Sequence, residues 1–407
     1  MNGPAVNGPA VNGPAPAGVR GQESPAAERP VVLEVRGLRV GFDVPSGRLP
    51  AVAGVDLTLH QGEILALVGE SGSGKSALSM SLVGLNRGPR THISGDVAFD
   101  GRNLAEASER ELRSIRGKDI AVVFQDALAA LNPLHRVGAQ VTEMMRAHRR
   151  MPYATAMDRA VDLLGEVGIA NPRANSRALP HQLSGGMRQR VMIAMGLAND
   201  PAVLIADEPT TALDVTIQAQ VLSVLQKASA DHGTAVLLIT HDLGVVAEVA
   251  DRVAVMYAGR IVEQGSRDEV LFNPQHPYTV GLLGSVPPID GPVADRLPAI
   301  PGSPLTGMDR PGGCAFAARC AHVHDACAEQ PELRHRHGEP GHLDACVLTG
   351  PVRRTARDAG PVPQPTGATE DVIRPVGPVG LVNPMNRVSP SGPAHPADLV
   401  RDEKGRS

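Results

Sequence analysis

Ile64-Leu65-Ala66-Leu67-Val68 runs directly into Gly69-Glu70-Ser71-Gly72-Ser73-Gly74-Lys75-Ser76. An apolar run with no alternation suits a strand buried on both faces, as in a parallel sheet covered by helices. The octad after it fits the G-x-x-x-x-G-K-S pattern of a phosphate-binding loop, and Ala77–Leu85 beyond reads as a helix. Gly69, Gly72 and Gly74 let the backbone wrap closely around phosphate. Successive N–H groups of the loop, those of Ser71 and Ser73 included, then point inward at a helix N-terminus. Lys75 offers a cation to the β- and γ-phosphates of a nucleotide, and Ser76 a hydroxyl to Mg²⁺. Lys supplies only 4 of the 39 cations in the chain. A functionless glycine-rich turn leaves that rare lysine unexplained.

Working outward, Val203-Leu204-Ile205-Ala206 and Val236-Leu237-Leu238-Ile239 repeat the short apolar texture. The first ends in Asp207-Glu208 and the second in Thr240-His241. In open parallel sheets chemistry gathers at the carboxyl ends of strands, so these endings point to one site. Asp207 is placed to hold Mg²⁺ through its water shell, and Glu208 to polarise an attacking water.

The chain has 407 residues and a formal charge of −4, with 39 basic against 43 acidic side chains. Nucleic-acid binding needs a basic excess or stripe, so this balance argues against it. Aromatic residues are 2% and Trp is absent, so the core must be built from Val, Leu, Ile, Ala and Met. No apolar stretch approaches the roughly 18 residues that span a bilayer, and Met1–Arg20 lacks a signal-peptide core. A soluble, cytoplasmic protein is expected. Residues 1–29, with Asn-Gly-Pro-Ala repeated three times, and 350–407, rich in proline, read as disordered tails. Between them 30–285 reads as one α/β domain, and 286–349, with its Pro-Pro and Pro-Gly pairs and clustered cysteines, as a small appended one.

Leu183-Ser184-Gly185-Gly186-Met187-Arg188-Gln189-Arg190 places Ser184 at 23 residues before Asp207. It resembles the signature motif of ABC ATPases. Gln125 in Val123-Phe124-Gln125-Asp126 resembles their Q-loop, Ala212-Leu213-Asp214 their D-loop, and His241 their switch histidine. The resemblance implies an α/β P-loop NTPase of ABC type. Such a fold has a parallel-sheet RecA-like core, an antiparallel β subdomain and a helical subdomain carrying the signature. It also implies ATP and Mg²⁺ as cofactors, with Ser76, Gln125 and Asp207 around the metal and Glu208, Gln125 and His241 as catalytic residues. Ser184, Gly185 and Gly186, with Asp214 nearby, would close on ATP held by another subunit, giving a head-to-tail dimer. Two positions depart from the pattern. Met187 stands where many members have Gln, and Phe42 takes the place of the usual adenine-stacking Tyr, unless it is simply a strand core residue.

Asn273-Pro274-Gln275-His276-Pro277-Tyr278-Thr279, Pro301-Gly302-Ser303-Pro304 and Cys314-Ala315-Phe316-Ala317-Ala318-Arg319-Cys320 resemble the oligopeptide/dipeptide (Opp/Dpp) branch of importer ATPases, and within it the D-type subunit. The resemblance implies a subunit on the cytoplasmic face of the cell membrane that hydrolyses ATP for peptide import. Its expected partners are a sister F-type ATPase subunit, two transmembrane permease subunits and, through them, an extracytoplasmic peptide-binding protein; no nucleic acid is expected. The same fold could instead energise import of nickel, glutathione or another small solute. A soluble ABC ATPase acting on DNA or ribosomes is the more distant alternative, since the cassette has neither a twin nor an inserted coiled coil.

Cys314, Cys320, Cys327 and Cys346 fall within 33 residues of an otherwise cysteine-free chain. Four thiolates suit either Zn²⁺ or an iron–sulfur cluster, with His322, His324 and His335 as substitute ligands or plain surface residues. The Opp/Dpp resemblance implies a [4Fe-4S] cluster.

Overall fold

The computed structural model describes residues 29–211, 213–286, 299–305, 312–335 and 341–350. The two tails lie outside that set apart from Arg29 and Gly350, as does Ala212 of the D-loop-like triplet.

β1 (Val31–Val44) and β2 (Gly47–His60) pair antiparallel before the chain enters β3 (Ile64–Val68) and α1 (Lys75–Leu82). β4 (Thr91–Phe99) returns to β1, and β5 (Arg102–Asn103) pairs with β4. α2 (Glu109–Ile115) begins at a capping box, in which Ser108 Oγ accepts from the Glu111 N–H while the Glu111 carboxylate accepts from the Ser108 N–H. After β6 (Ile120–Val123) comes a run of helices: α3 (Ala127–Ala130), α4 (Val137–Arg146), α5 (Tyr153–Glu166), α6 (Pro172–Asn175) and α7 (Gly185–Leu197). The chain then alternates through β7 (Val203–Asp207), α8 (Val215–His232), β8 (Ala235–Ile239), α9 (Leu243–Val249) and β9 (Arg252–Tyr257). β10 (Arg260–Ser266), α10 (Arg267–Phe272) and α11 (Pro277–Gly284) follow, and β11 (Arg334–His335) and β12 (Leu343–Asp344) come last.

Among the described residues the strands form two sheets, one of order β2-β1-β4-β5 and one of order β11-β12-β10-β9-β3-β8-β7-β6. In the larger sheet β9, β3, β8, β7 and β6 are parallel, while β10, β12 and β11 extend the β9 edge antiparallel. Every residue of β3, β7 and β8 is buried, as unalternating apolar strands require.

Alternate strand positions serve different layers. Leu204, Ala206, Val236 and Leu238 pack with α4, α5, α7 and α8. Val203, Ile205, Leu237 and Ile239 pack with β1, β2 and α1 on the other face. Period-two geometry makes this division, so one sheet carries the helical lobe and the antiparallel lobe on opposite sides. Leu237→Ala, at a fully buried site, is expected to cost about 2–5 kcal/mol in urea denaturation.

The C-terminal segment belongs to the larger sheet through β12, whose Asp344 pairs with Glu263 and Leu343 with Gln264. Glu263 is fully buried. Its carboxylate accepts from the N–H groups of Gln275 (2.6 Å) and His276 (2.9 Å), and lies 2.8 Å from His342 Nε2. Burial opposes the charge on His342, but the hydrogen bond and charge of Glu263 prevail and raise its pKa. Tyr257, Tyr278 and Phe316 meet beside this joint, their ring centroids 4.6–5.5 Å apart. In a chain so poor in aromatics, that contact fastens the segment to the sheet.

Candidate active site

The loop between β3 and α1 has a shape that its glycines alone permit. Gly69 has φ +151, and a Cβ there would meet Met256 O at 2.2 Å; Gly74 has φ +106, and a Cβ would meet Ala51 O at 2.4 Å. Lys75 is only 7% exposed. Its ammonium donates to Gly69 O (2.7 Å) and Glu70 O (3.0 Å) and lies 3.4 Å from Ser73 Oγ. Burial lowers its pKa, against the pull of Glu208, Asp207 and Glu70. A buried cation resting on carbonyls, with no carboxylate bonded to it, is a site made for an incoming anion.

At the end of β7, Asp207 is buried and hydrogen-bonded to Ser76, the first hydroxyl after the lysine. Burial raises its pKa, the Ser76 contact lowers it, and Glu208 raises it again; the net direction is upward. Glu208 stands at φ +48, a left-handed backbone that costs a non-glycine residue about 1–3 kcal/mol. Its N–H is held by Ile239 O of β8 at 2.9 Å. Its carboxylate gathers neighbours: Gln125 Nε2 donates to Oε2 (2.8 Å), Thr211 Oγ1 donates to the same oxygen (2.9 Å), and His241 Nδ1 lies 3.3 Å from Oε1. Residues separated by 83 and 33 positions are thus brought to one carboxylate by the ends of β6, β7 and β8.

The structure therefore joins Lys75, Ser76, Asp207, Glu208, Gln125 and His241. It places Ser184 elsewhere, as the N-cap of α7, where its hydroxyl accepts from the Met187 N–H at 3.3 Å. Ser184 and Gly185 are exposed, and Gly186 lies against α8, where a Cβ would come within 2.9 Å of Ile217. Asp214 caps α8, accepting from the Ile217 N–H at 2.9 Å. Phe42 is half-buried and packs on the core beneath the small sheet. Thr211 escaped the sequence reading, although a hydroxyl three residues after Glu208 was a visible signal. So did Arg319, which binds Glu70 from 249 residues away and had no local signal at all.

The four-cysteine metal centre expected from the sequence finds no support among the described residues. Among the described residues no group of three or more His, Cys, Asp or Glu side chains is placed to hold a metal ion. Cys314, Cys320 and Cys327 are close enough for their charges to interact, and Cys314 N–H donates to Cys327 O at 2.9 Å. Burial raises the pKa of Cys314 and Cys320. His324 and His335 are exposed and His322 is half-buried.

A parallel sheet with a phosphate loop after β3, a buried lysine and a carboxylate pair at the end of β7 defines a P-loop ATPase. A family model described as ABC transporter matches residues 52–211, and one described as oligopeptide/dipeptide transporter, C-terminal region, matches 262–327. The oligopeptide transport ATP-binding protein OppD of Bacillus subtilis is 48% identical over 72% of this chain and 82% of its own. The dipeptide transport ATP-binding protein DppD of Lactococcus lactis is 49% identical over 71% of this chain and 82% of its own. Among solved structures, the cassette MJ0796, a dimer in a post-hydrolysis state with ADP and phosphate, is 27% identical. It superposes with a TM-score of 0.54 over 58% of this chain and 99% of its own. The chain belongs to the Opp/Dpp family of ABC transporter ATP-binding proteins, and it is an ATPase of that class.

Proposed function

We propose that this chain powers a membrane importer for oligopeptides or dipeptides, working at the cytoplasmic face through permease subunits. The Glu208 carboxylate, held by Gln125, Thr211 and His241 beside the lysine loop, is the observation that carries the hydrolytic part. The names of the relatives and of the C-terminal family model support the cargo class. The site residues fit ATP and Mg²⁺: Gly69, Ser71, Gly72, Ser73, Gly74 and Lys75 take the phosphates, and Ser76, Asp207 and Gln125 surround the metal. Mg²⁺ supplies charge neutralisation on the phosphate oxygens. Glu208 takes the proton of a water whose oxygen attacks the γ-phosphorus, while the bond to the β–γ bridging oxygen breaks and ADP leaves. Gln125 and His241 hold the Glu208 carboxylate in place for that transfer.

Ser184, Gly185 and Asp214 are exposed, and with Gly186 they serve the nucleotide of a second ATPase subunit, of sister F type, in a head-to-tail dimer. The dimeric form of the solved cassettes supports that arrangement. An extracytoplasmic peptide-binding protein would deliver cargo to the permease. Residues 30–285 are the ATPase domain of this reading and 286–349 its C-terminal addition. No step in it draws on metal at the cysteines. Among the described residues no helix is long and apolar enough to cross a membrane, so attachment would run through partners. The test is co-purification followed by reconstitution in vesicles with a mixed-peptide pool. Permease subunits and peptide-stimulated phosphate release are expected; bound nucleic acid or ribosomes, with no permease, would overturn the reading.

A further inference from the structure

Glu70 is the one acidic side chain in the phosphate-loop octad. A carboxylate there opposes the loop's purpose, because it repels the phosphates the loop must hold. Its influence reaches the site, since its charge acts on Lys75. Arg319 meets it from the far end of the chain, with Nη1 donating to Oε2 at 2.6 Å and Nη2 to Oε1 at 3.0 Å. This is a bidentate pair, and the Arg319 side chain is only 5% exposed. The remaining donors are also fixed: Nε donates to Pro301 O (2.8 Å) and Nη2 to Ile300 O (3.3 Å), while Nη1 lies 3.5 Å from Tyr257 Oη. The guanidinium also stands 5.8 Å from the Tyr257 ring centroid and 5.9 Å from that of Phe316. A second tie acts on the backbone, where the Glu70 N–H donates to Tyr278 Oη at 2.8 Å. Lysine could supply the charge, but not this planar fork.

We propose that Arg319 is a positioning residue of the nucleotide site: by neutralising Glu70 it lets the phosphate loop bind ATP, and so makes MgATP affinity depend on the segment between Cys314 and Cys320. The proposal rests on the ATP-site reading above. Arg319 ends a short 3₁₀ turn, Ala317–Arg319, immediately before Cys320, and Phe316 just ahead of that turn packs on Tyr257 and Tyr278. Displacing that turn moves the guanidinium off the loop and leaves Glu70 as a bare charge near the phosphates.

The test is a double-mutant cycle in the full-length chain, read as MgATP binding by calorimetry. Arg319→Met is expected to weaken binding roughly tenfold, the size of effect an uncompensated unit charge produces near bound phosphate. Glu70→Gln is expected to tighten binding, because the guanidinium is then free to attract the nucleotide. The double variant should recover most of what Arg319→Met loses. A role in packing alone gives the opposite pattern: Glu70→Gln weakens binding and the double variant is no better than Arg319→Met. That pattern, or no loss in Arg319→Met, would overturn the proposal while the ATP-site reading stands. If Arg319→Met does not fold, the sign of the Glu70→Gln effect decides. A wild-type chain that fails to bind MgATP at all would overturn both.

Discussion

Glu208→Gln is expected to lower ATP turnover by roughly 10²–10⁴-fold while MgATP still binds. The amide keeps the carboxylate's shape and can still accept from Gln125 Nε2 and Thr211 Oγ1, which now meet the Glu208 side chain at 2.8 and 2.9 Å. What it loses is the capacity to take a proton from water. The phosphate-binding groups sit on the loop between β3 and α1 and are untouched, so the ATP-bound form should accumulate. Phosphate release from the assembled transporter, alongside nucleotide binding, separates the two effects. Wild-type turnover would remove Glu208 from the role of base.

Ser184→Arg is expected to leave MgATP binding by the isolated chain in place, yet lower hydrolysis at the partner-held ATP by roughly 10²–10³-fold, the usual cost of losing a preorganised anion donor. Ser184 is exposed at the start of α7, and its hydroxyl accepts from the Met187 N–H of its own helix. A long cation at that helix start displaces whatever the N-terminus would clamp. Mixing the variant with a wild-type sister subunit, and mapping which of the two sites still turns over, gives the readout. Loss of MgATP binding by the isolated variant would show that the signature acts on its own chain, against the dimer reading.

Local patterns carried most of the site. The β3–loop–α1 unit was readable because one short window holds the apolar run, the glycines and the lysine. Val203–Asp207 and Ala235–Ile239 were readable because burial on both faces leaves no alternation. Convergence was not readable from spacing. That Gln125 and His241 reach the same carboxylate depends on β6 and β8 flanking β7, a property of strand order. The antiparallel sheet came only by family resemblance, since the register shifts in β1 blur its period-two pattern. For the cysteines, proximity along the chain is visible in the sequence, while a ligand set converging on one metal ion finds no support among the described residues. Phe42, half-buried, packs on the core as its strand position allows.

Glu263 imposes an order on biosynthesis. Its carboxylate lies on β10, but His342 follows it by 79 residues and the pairing strand β12 lies just beyond. While the chain is still emerging from the ribosome, the cassette's parallel strands are all available, yet this buried acid has only part of its shell. Leaving such a charge without its partner costs roughly 3–5 kcal/mol. The β10 edge of the sheet is therefore expected to close only after residue 344 has been made, later in synthesis than the parallel strands of the cassette.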